Sequence, residues 1–272
     1  MLPVRFLRNF SFFLCASLLN TGACLAQSGP NTQVKLVSDV SAAAPGSSVW
    51  IGIHFQLEPG WHIYWENPGD SGEPAHVQWQ LPPGWTAGQI AWPAPSRMEN
   101  PAGVDYGYQD EATLLTRVKV PASAKAGSTN TLKANLQWLA CKDICVPQKG
   151  TAQLPLRVAA KASPDPSGKP LVDAAKERLP KTLPADWKSN VMRNPSSLLL
   201  NFRPGVKIEA AEFFPLERGV IENSAPQKLS STSASAQLAL KKDTAAAKTE
   251  SLKGVLVLNG SDVYAVDIPF KR

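Results

Sequence analysis

Hydrophobic residues alternate with polar ones over several stretches of this chain. Within 47–57, Val49, Ile51, Ile53, Phe55 and Leu57 fall on one face. A period of two is the mark of a strand with one buried face. Residues 131–140 repeat it through Leu132, Ala134, Leu136, Trp138 and Ala140, and 151–158 are the expected partner strand. Shorter strands are expected at 34–38, 76–81, 89–92 and 113–120, punctuated by Pro82-Pro83-Gly84 and Pro93-Ala94-Pro95. Between them, Gly60 to Trp65 runs into the turn-rich Asn67-Pro68-Gly69-Asp70-Ser71-Gly72. Strands at this spacing predict an antiparallel sandwich over residues 30–160.

The pattern changes over 161–184, which reads as a linker with one short helix at 171–179, ended by Pro180. Strand patterns return at 197–202, 206–214, 236–241, 254–259 and 262–268, with a loop at 245–248. The fold class is therefore all-β: a sandwich followed by a second, smaller β domain over 185–272.

Composition agrees with this reading. Hydrophobic residues make up 43% of the 272 and charged residues 18%, so the chain is globular. The 24 prolines and 18 glycines favour turns over long helices. The net charge of +6 is spread without a Lys/Arg block, which argues against a nucleic-acid partner. Arg5 and Arg8, the apolar run at 10–19 and the small residues Ala23 and Ala26 form an export signal, with cleavage expected after Ala26. Lipidation on Cys24 is the rival reading. It is disfavoured because Thr21 stands where a leucine-like residue belongs.

Export leaves one cysteine pair. Cys15 and Cys24 lie in the leader, while Cys141 and Cys145 enclose Lys142-Asp143-Ile144. So short a loop constrains the unfolded chain little, which makes the pair a poor staple. Exchange chemistry, a passive disulfide and metal binding all stay open. Lys142 would favour a thiolate and Asp143 would oppose it. A soft copper site could draw on Met98 and on His54, His62 or His76, but no histidine stands at ligand spacing from either cysteine. Trp61, Tyr64, Trp65, Tyr106 and Tyr108 read first as core and second as cover for the thiols. Asp70 and Glu73 read first as turn residues and second as proton acceptors.

Three segments in this order carry a resemblance. They are Gly60-Trp61-His62-Ile63-Tyr64-Trp65-Glu66-Asn67-Pro68-Gly69-Asp70-Ser71-Gly72, Tyr106-Gly107-Tyr108, and Trp138-Leu139-Ala140-Cys141-Lys142-Asp143-Ile144-Cys145-Val146-Pro147. Together they resemble the N-terminal periplasmic region of DsbD-like and ScsB-like thiol–disulfide interchange proteins. The likeness covers roughly 30–160 and continues through Phe213-Phe214-Pro215 and Gly254-Val255-Leu256-Val257. It implies an immunoglobulin-like sandwich in the periplasm, needing no cofactor or metal. Cys141 and Cys145 would cycle between dithiol and disulfide, with Cys145 attacking. The implied partners are periplasmic thiol–disulfide oxidoreductases or disulfide-bearing clients. The CxxxC spacing favours the ScsB-like branch. Family members usually continue into a membrane domain and a thioredoxin-like domain; neither is read before Arg272, so the expectation is either a separate membrane protein that donates electrons or a lost relay role. Two alternatives remain: a binding scaffold with an inert disulfide, and a copper-handling protein.

Overall fold

Ser48–Leu57 pairs with Glu111–Lys119, from Gln56 opposite Glu111 to Ser48 opposite Lys119. Its other edge pairs with Thr32–Ser38. Gln27–Gly29 and Thr86–Ala91 complete this first, antiparallel sheet. These coordinates are a computed structural model that describes residues 27–29, 31–101, 103–243 and 249–271. The expected leader with Cys15 and Cys24, and the loop expected at 245–248, lie outside the described residues.

The second sheet runs Ser163–Pro164, Val40–Ala43, Cys145–Val158, Thr129–Cys141, His62–Gly69, Gly103–Gln109, Ser96–Asn100, with His76–Gln80 beside Thr129–Cys141. It faces the first sheet. Ile51, Ile53, Phe55 and Leu114 from one side meet Leu132, Ala134, Leu136, Trp138 and Ala140 from the other, all buried. Phe55 meets Trp138 edge-on at 5.7 Å. Burying a side chain of this size stabilises by about 1.5–3 kcal/mol, so the alternating faces alone drive the two sheets together. The result is an immunoglobulin-like antiparallel sandwich.

The helix is Gly168–Glu177. It starts earlier than the apolar pattern indicates because Asp165 Oδ1 accepts the backbone N–H groups of Ser167 and Gly168 at 2.9 and 3.1 Å. It lays Val172 and Ala175 on Val37 and Leu115, on the outer face of the first sheet.

A third sheet follows in the order Ala211–Pro215, Ser251–Leu258, Asp262–Lys271, Asn190–Arg193, Ser197–Phe202, Ala236–Lys241, Lys228–Ser231, with Lys181–Thr182 beside Asp262–Lys271. The strand expected over 206–214 begins only at Ala211. Upstream, side chains take the backbone donors that a ladder would use. Asn259 Oδ1 accepts from Glu209 and Ala210, and Ser231 Oγ accepts from Ile208.

The third sheet packs on the sandwich through Trp65, Val104 and Tyr106 on one side and Phe214, Val255, Val257 and Val263 on the other. Tyr106 meets Phe214 edge-on at 5.2 Å.

Candidate functional site

Thr129–Cys141 and Cys145–Val158 form one long hairpin, in register from Thr129 opposite Arg157 to Cys141 opposite Cys145. The cysteines are thus the last pair before the turn Lys142-Asp143-Ile144, and the Lys142 N–H closes that turn on Ile144 O at 3.1 Å. Directly opposed residues send their side chains to the same face. The two sulfurs are joined, with the Cα atoms 4.1 Å apart.

Their surroundings differ. Cys141 sits between Cys145 on one side and His62 on the other and is 2% exposed. Cys145 begins the outer strand and is exposed. Beside it, Ile144 is 68% exposed at the hairpin tip. The Lys142 ammonium donates to Pro59 O at 3.3 Å.

His62–Gly69 brings two side chains over the sulfurs. Residues two apart on a strand share a face. Register puts His62 beside Cys141, so Tyr64 joins them. The Tyr64 hydroxyl donates to Cys141 Sγ at 2.9 Å and lies 3.7 Å from Cys145 Sγ. His62 Nε2 is 3.3 Å from the same hydroxyl. A phenol has one hydrogen, and here it points at sulfur. The His62 contact is then Nε2–H donating to the phenol oxygen, which sets the tautomer.

Asp105 stands behind this pair, with Oδ2 4.0 Å from His62 Nε2. It is buried, and its charge is balanced by donors. Ser71 N and Oγ reach Oδ1 at 3.1 and 2.8 Å, and Asn100 Nδ2 reaches Oδ2 at 2.7 Å. Burial raises the Tyr64 pKa above 10.0; a hydrogen bond with Ser71 opposes this and the Asp105 charge adds to it. Tyr64 therefore stays a protonated donor across the neutral range. Burial lowers the His62 pKa below 6.5, partly offset by Asp105, so the ring is neutral there.

Gly72 seats the tyrosine. Its φ is +80°, and a Cβ at that position would lie 2.2 Å from the Tyr64 ring. A side chain there would strain the backbone and displace the ring.

The remaining candidate residues lie elsewhere. Trp65 points into the contact with the third sheet, and Trp61 packs half-buried on the sandwich core. Tyr106 and Tyr108 also face the third sheet, and the Tyr108 hydroxyl donates to Pro93 O at 2.7 Å. Asp70 accepts the Val104 N–H at 2.7 Å, and Glu73 lies 3.9 Å from Arg218. His54 belongs to the first sheet, 2.9 Å from Thr113 Oγ1; His76 is exposed and Met98 buried. Among the described residues, no three or more of His, Cys, Asp and Glu gather as metal ligands would. Sequence reasoning weighed His62 only as a copper ligand, and did not place Asp105, with Ser71 and Asn100 on its carboxylate, behind the His62–Tyr64 pair. For His62 a signal existed, since its spacing from Tyr64 places both on one strand face. Asp105 reaches the site through the irregular pairing of Gly103–Gln109 with His62–Gly69, which no local pattern marks.

The buried histidines predict a pH effect. Burial also lowers the His54 pKa below 6.5. Below that value the unfolded chain takes up protons that these folded rings refuse. Stability should fall as the pH drops from 7 toward 5. Asp39 and Glu66, raised by burial from 3.8 and 4.5, act oppositely nearer their own range. Thermal melts at pH 5, 6 and 7 of the chain and of His54→Gln should show a flatter acid limb in the variant.

Residues 33–157 match the family described as Thiol:disulfide interchange protein DsbD, N-terminal. Among solved structures, the N-terminal periplasmic domain of ScsB from Proteus mirabilis is similar. Identity is 17%, coverage is 90% of this chain and 97% of that one, and the TM-score is 0.65, a likeness of fold. The sporulation control protein Spo0M from Bacillus subtilis aligns at 9% identity over 88% of this chain and 90% of its own, but its TM-score of 0.25 carries no argument. No curated protein matches. The segment 33–157 is a domain of the DsbD N-terminal type, and the chain shares the fold of the ScsB domain.

Proposed function

We propose that this chain, through its DsbD N-terminal-type domain, is an exported thiol–disulfide exchange protein that carries reducing equivalents to client disulfides. The observation behind this is the asymmetry of the two sulfurs. Cys145 is exposed, while Cys141 is buried under the Tyr64 hydroxyl. A scaffold disulfide has no use for a donor on one sulfur; an exchanging one does.

In the loading step a donor thiolate attacks Cys145 Sγ. The disulfide breaks and its electron pair goes to Cys141 Sγ, where the Tyr64 O–H receives the charge. A second donor thiol attacks the mixed disulfide, frees Cys145 and leaves oxidised. In the delivery step the Cys145 thiolate attacks a client disulfide, and the client's second sulfur leaves with the electron pair. Cys141 then attacks Cys145 Sγ, the pair re-forms, and the client departs as a dithiol. Two electrons and two protons pass in each direction. Partners of this chemistry are periplasmic oxidoreductases or disulfide-bearing clients, with a membrane protein as donor. Among the described residues no helix is long and apolar enough to cross a membrane. We also propose two units: residues 30–160 carry the chemistry and 185–272 form a second β domain.

The test is the reduction potential, read by equilibrating the protein in graded thiol/disulfide buffers, alkylating and weighing. A value between about −180 and −270 mV places the pair among exchange proteins. A value below about −300 mV marks a disulfide that resists reduction and would overturn the proposal.

A further inference from the structure

We infer that the third sheet does more than pack on the sandwich: its segment 216–223 positions Tyr64 against Cys141, with Asn223 as the coupling residue. The inference rests on Cys141 and Cys145 being the reacting pair, and it assigns the C-terminal unit a part in their chemistry.

The link runs through the loop 70–72, which Gly72 presses on the Tyr64 ring. This loop is tied to the C-terminal unit at both ends. Asn223 Nδ2 donates to Asp70 Oδ1 at 2.7 Å, and Arg218 Nη2 donates to Gly72 O at 2.9 Å. Just upstream, Asn67 Nδ2 donates to Pro215 O at 2.8 Å. The strand end and loop that carry the tyrosine's support are thus held at residues 67, 70 and 72 from across the contact.

Asn223 is itself held firmly. It is 8% exposed; its Oδ1 accepts the Tyr106 hydroxyl and its backbone O accepts Arg97 Nη2, each at 3.0 Å. On the other side of the link, Asp70 Oδ2 accepts Val104 N at 2.7 Å, and Asp70 N donates to Val104 O at 2.9 Å. Gly103 makes this possible: a Cβ there would lie 2.3 Å from Asp70 Oδ2. Ser71 then bonds Asp105, which lies behind His62. Asn223 therefore fixes the loop that sets both the Tyr64 ring and the carboxylate behind His62. Asn223 touches neither sulfur, so it is a positioning residue. Losing its amide frees the loop, the Tyr64 O–H aligns less often with Cys141 Sγ, and Cys141 becomes a poorer leaving group.

The experiment measures the rate at which excess dithiothreitol reduces the oxidised full chain. Asn223→Ala should keep its β-type circular dichroism yet be reduced about three- to tenfold more slowly, the scale of a weakened hydrogen bond to a developing thiolate. In a Tyr64→Phe background the same change should add less than about twofold, because the groups act in series. The exchange Asp70→Asn with Asn223→Asp reverses the amide and the carboxylate and should restore the rate. Arg218→Ala, at a half-exposed side chain, provides a second reading if Asn223→Ala does not fold. An unchanged or faster rate in the folded variant overturns the inference. So does an equal slowing with and without the Tyr64 hydroxyl, or a failed rescue. The exchange reading stands on the wild-type potential, whereas this inference stands on ratios between variants, so the two can fail separately.

Discussion

Cys145→Ser is expected to abolish exchange, and Cys141→Ser to trap it halfway. Cys145 offers the exposed sulfur, so its loss leaves a buried thiol that a client disulfide cannot reach in line. Turnover should drop to the uncatalysed background. Cys141→Ser keeps the attacking sulfur and removes the resolving one, so a mixed disulfide through Cys145 should accumulate. A model disulfide-bearing client, non-reducing gels and intact-mass analysis distinguish these states. The stability cost should be equal and modest. Closing a loop as short as Cys141–Cys145 is worth about 2 kcal/mol in the chain-entropy account. Denaturant melts of both variants should shift by that order while remaining cooperative. If both variants reduce the client at the parent rate, the cysteines are not the reacting groups and the disulfide is a passive feature of the hairpin.

Tyr64→Phe is expected to slow reduction of the disulfide with little loss of stability. The ring, its burial and its packing on Gly72 are kept, and only the oxygen goes. That oxygen carries the hydrogen bond to Cys141 Sγ, 2.9 Å away. A hydrogen bond to a charged acceptor is worth about 1.5–3 kcal/mol. The Cys141 thiolate should therefore be less stabilised in the variant. Only part of that reaches the transition state, because the leaving sulfur carries a fraction of its final charge. The rate of attack by an external thiolate should fall about three- to tenfold, on the scale of about 1.4 kcal/mol per tenfold. Stopped-flow tryptophan fluorescence across pH 6–9 reads both effects. His62→Gln should change the same profile less, since His62 acts on the sulfur through the phenol oxygen. An unchanged rate and profile in Tyr64→Phe would leave the hydroxyl as packing alone.

Much of the architecture was legible because alternation is a local record of burial. The long strand Thr129–Cys141 shows its inward face in every second residue, and the observed strand follows that face to the cysteine. The helix was legible too, its start displaced by three residues because Asp165 accepts the backbone N–H groups of Ser167 and Gly168. His62–Gly69 was harder to read. Its second half, with Asn67, Pro68 and Gly69, has the composition of a turn, yet it runs as a strand with an irregular register opposite Gly103–Gln109. There, tertiary packing overrides local preference, because Trp65 and Asn67 are claimed by the C-terminal unit.

The all-β class, the sandwich faces, and the pair Cys141 and Cys145 at a hairpin end were all readable from the sequence. Each is written in neighbouring residues, through a period of two or a short spacing. Only the tertiary structure decided which sulfur is covered and what covers it. Cys141 is buried because His62 lies beside it across a strand pair 79 positions away in the chain, and the phenol of Tyr64 follows from that register. The carboxylate behind them comes from Asp105, and the brace on their loop comes from Asn223. Chain folding makes these contacts between segments that share no local pattern, so no periodicity in the sequence announces them.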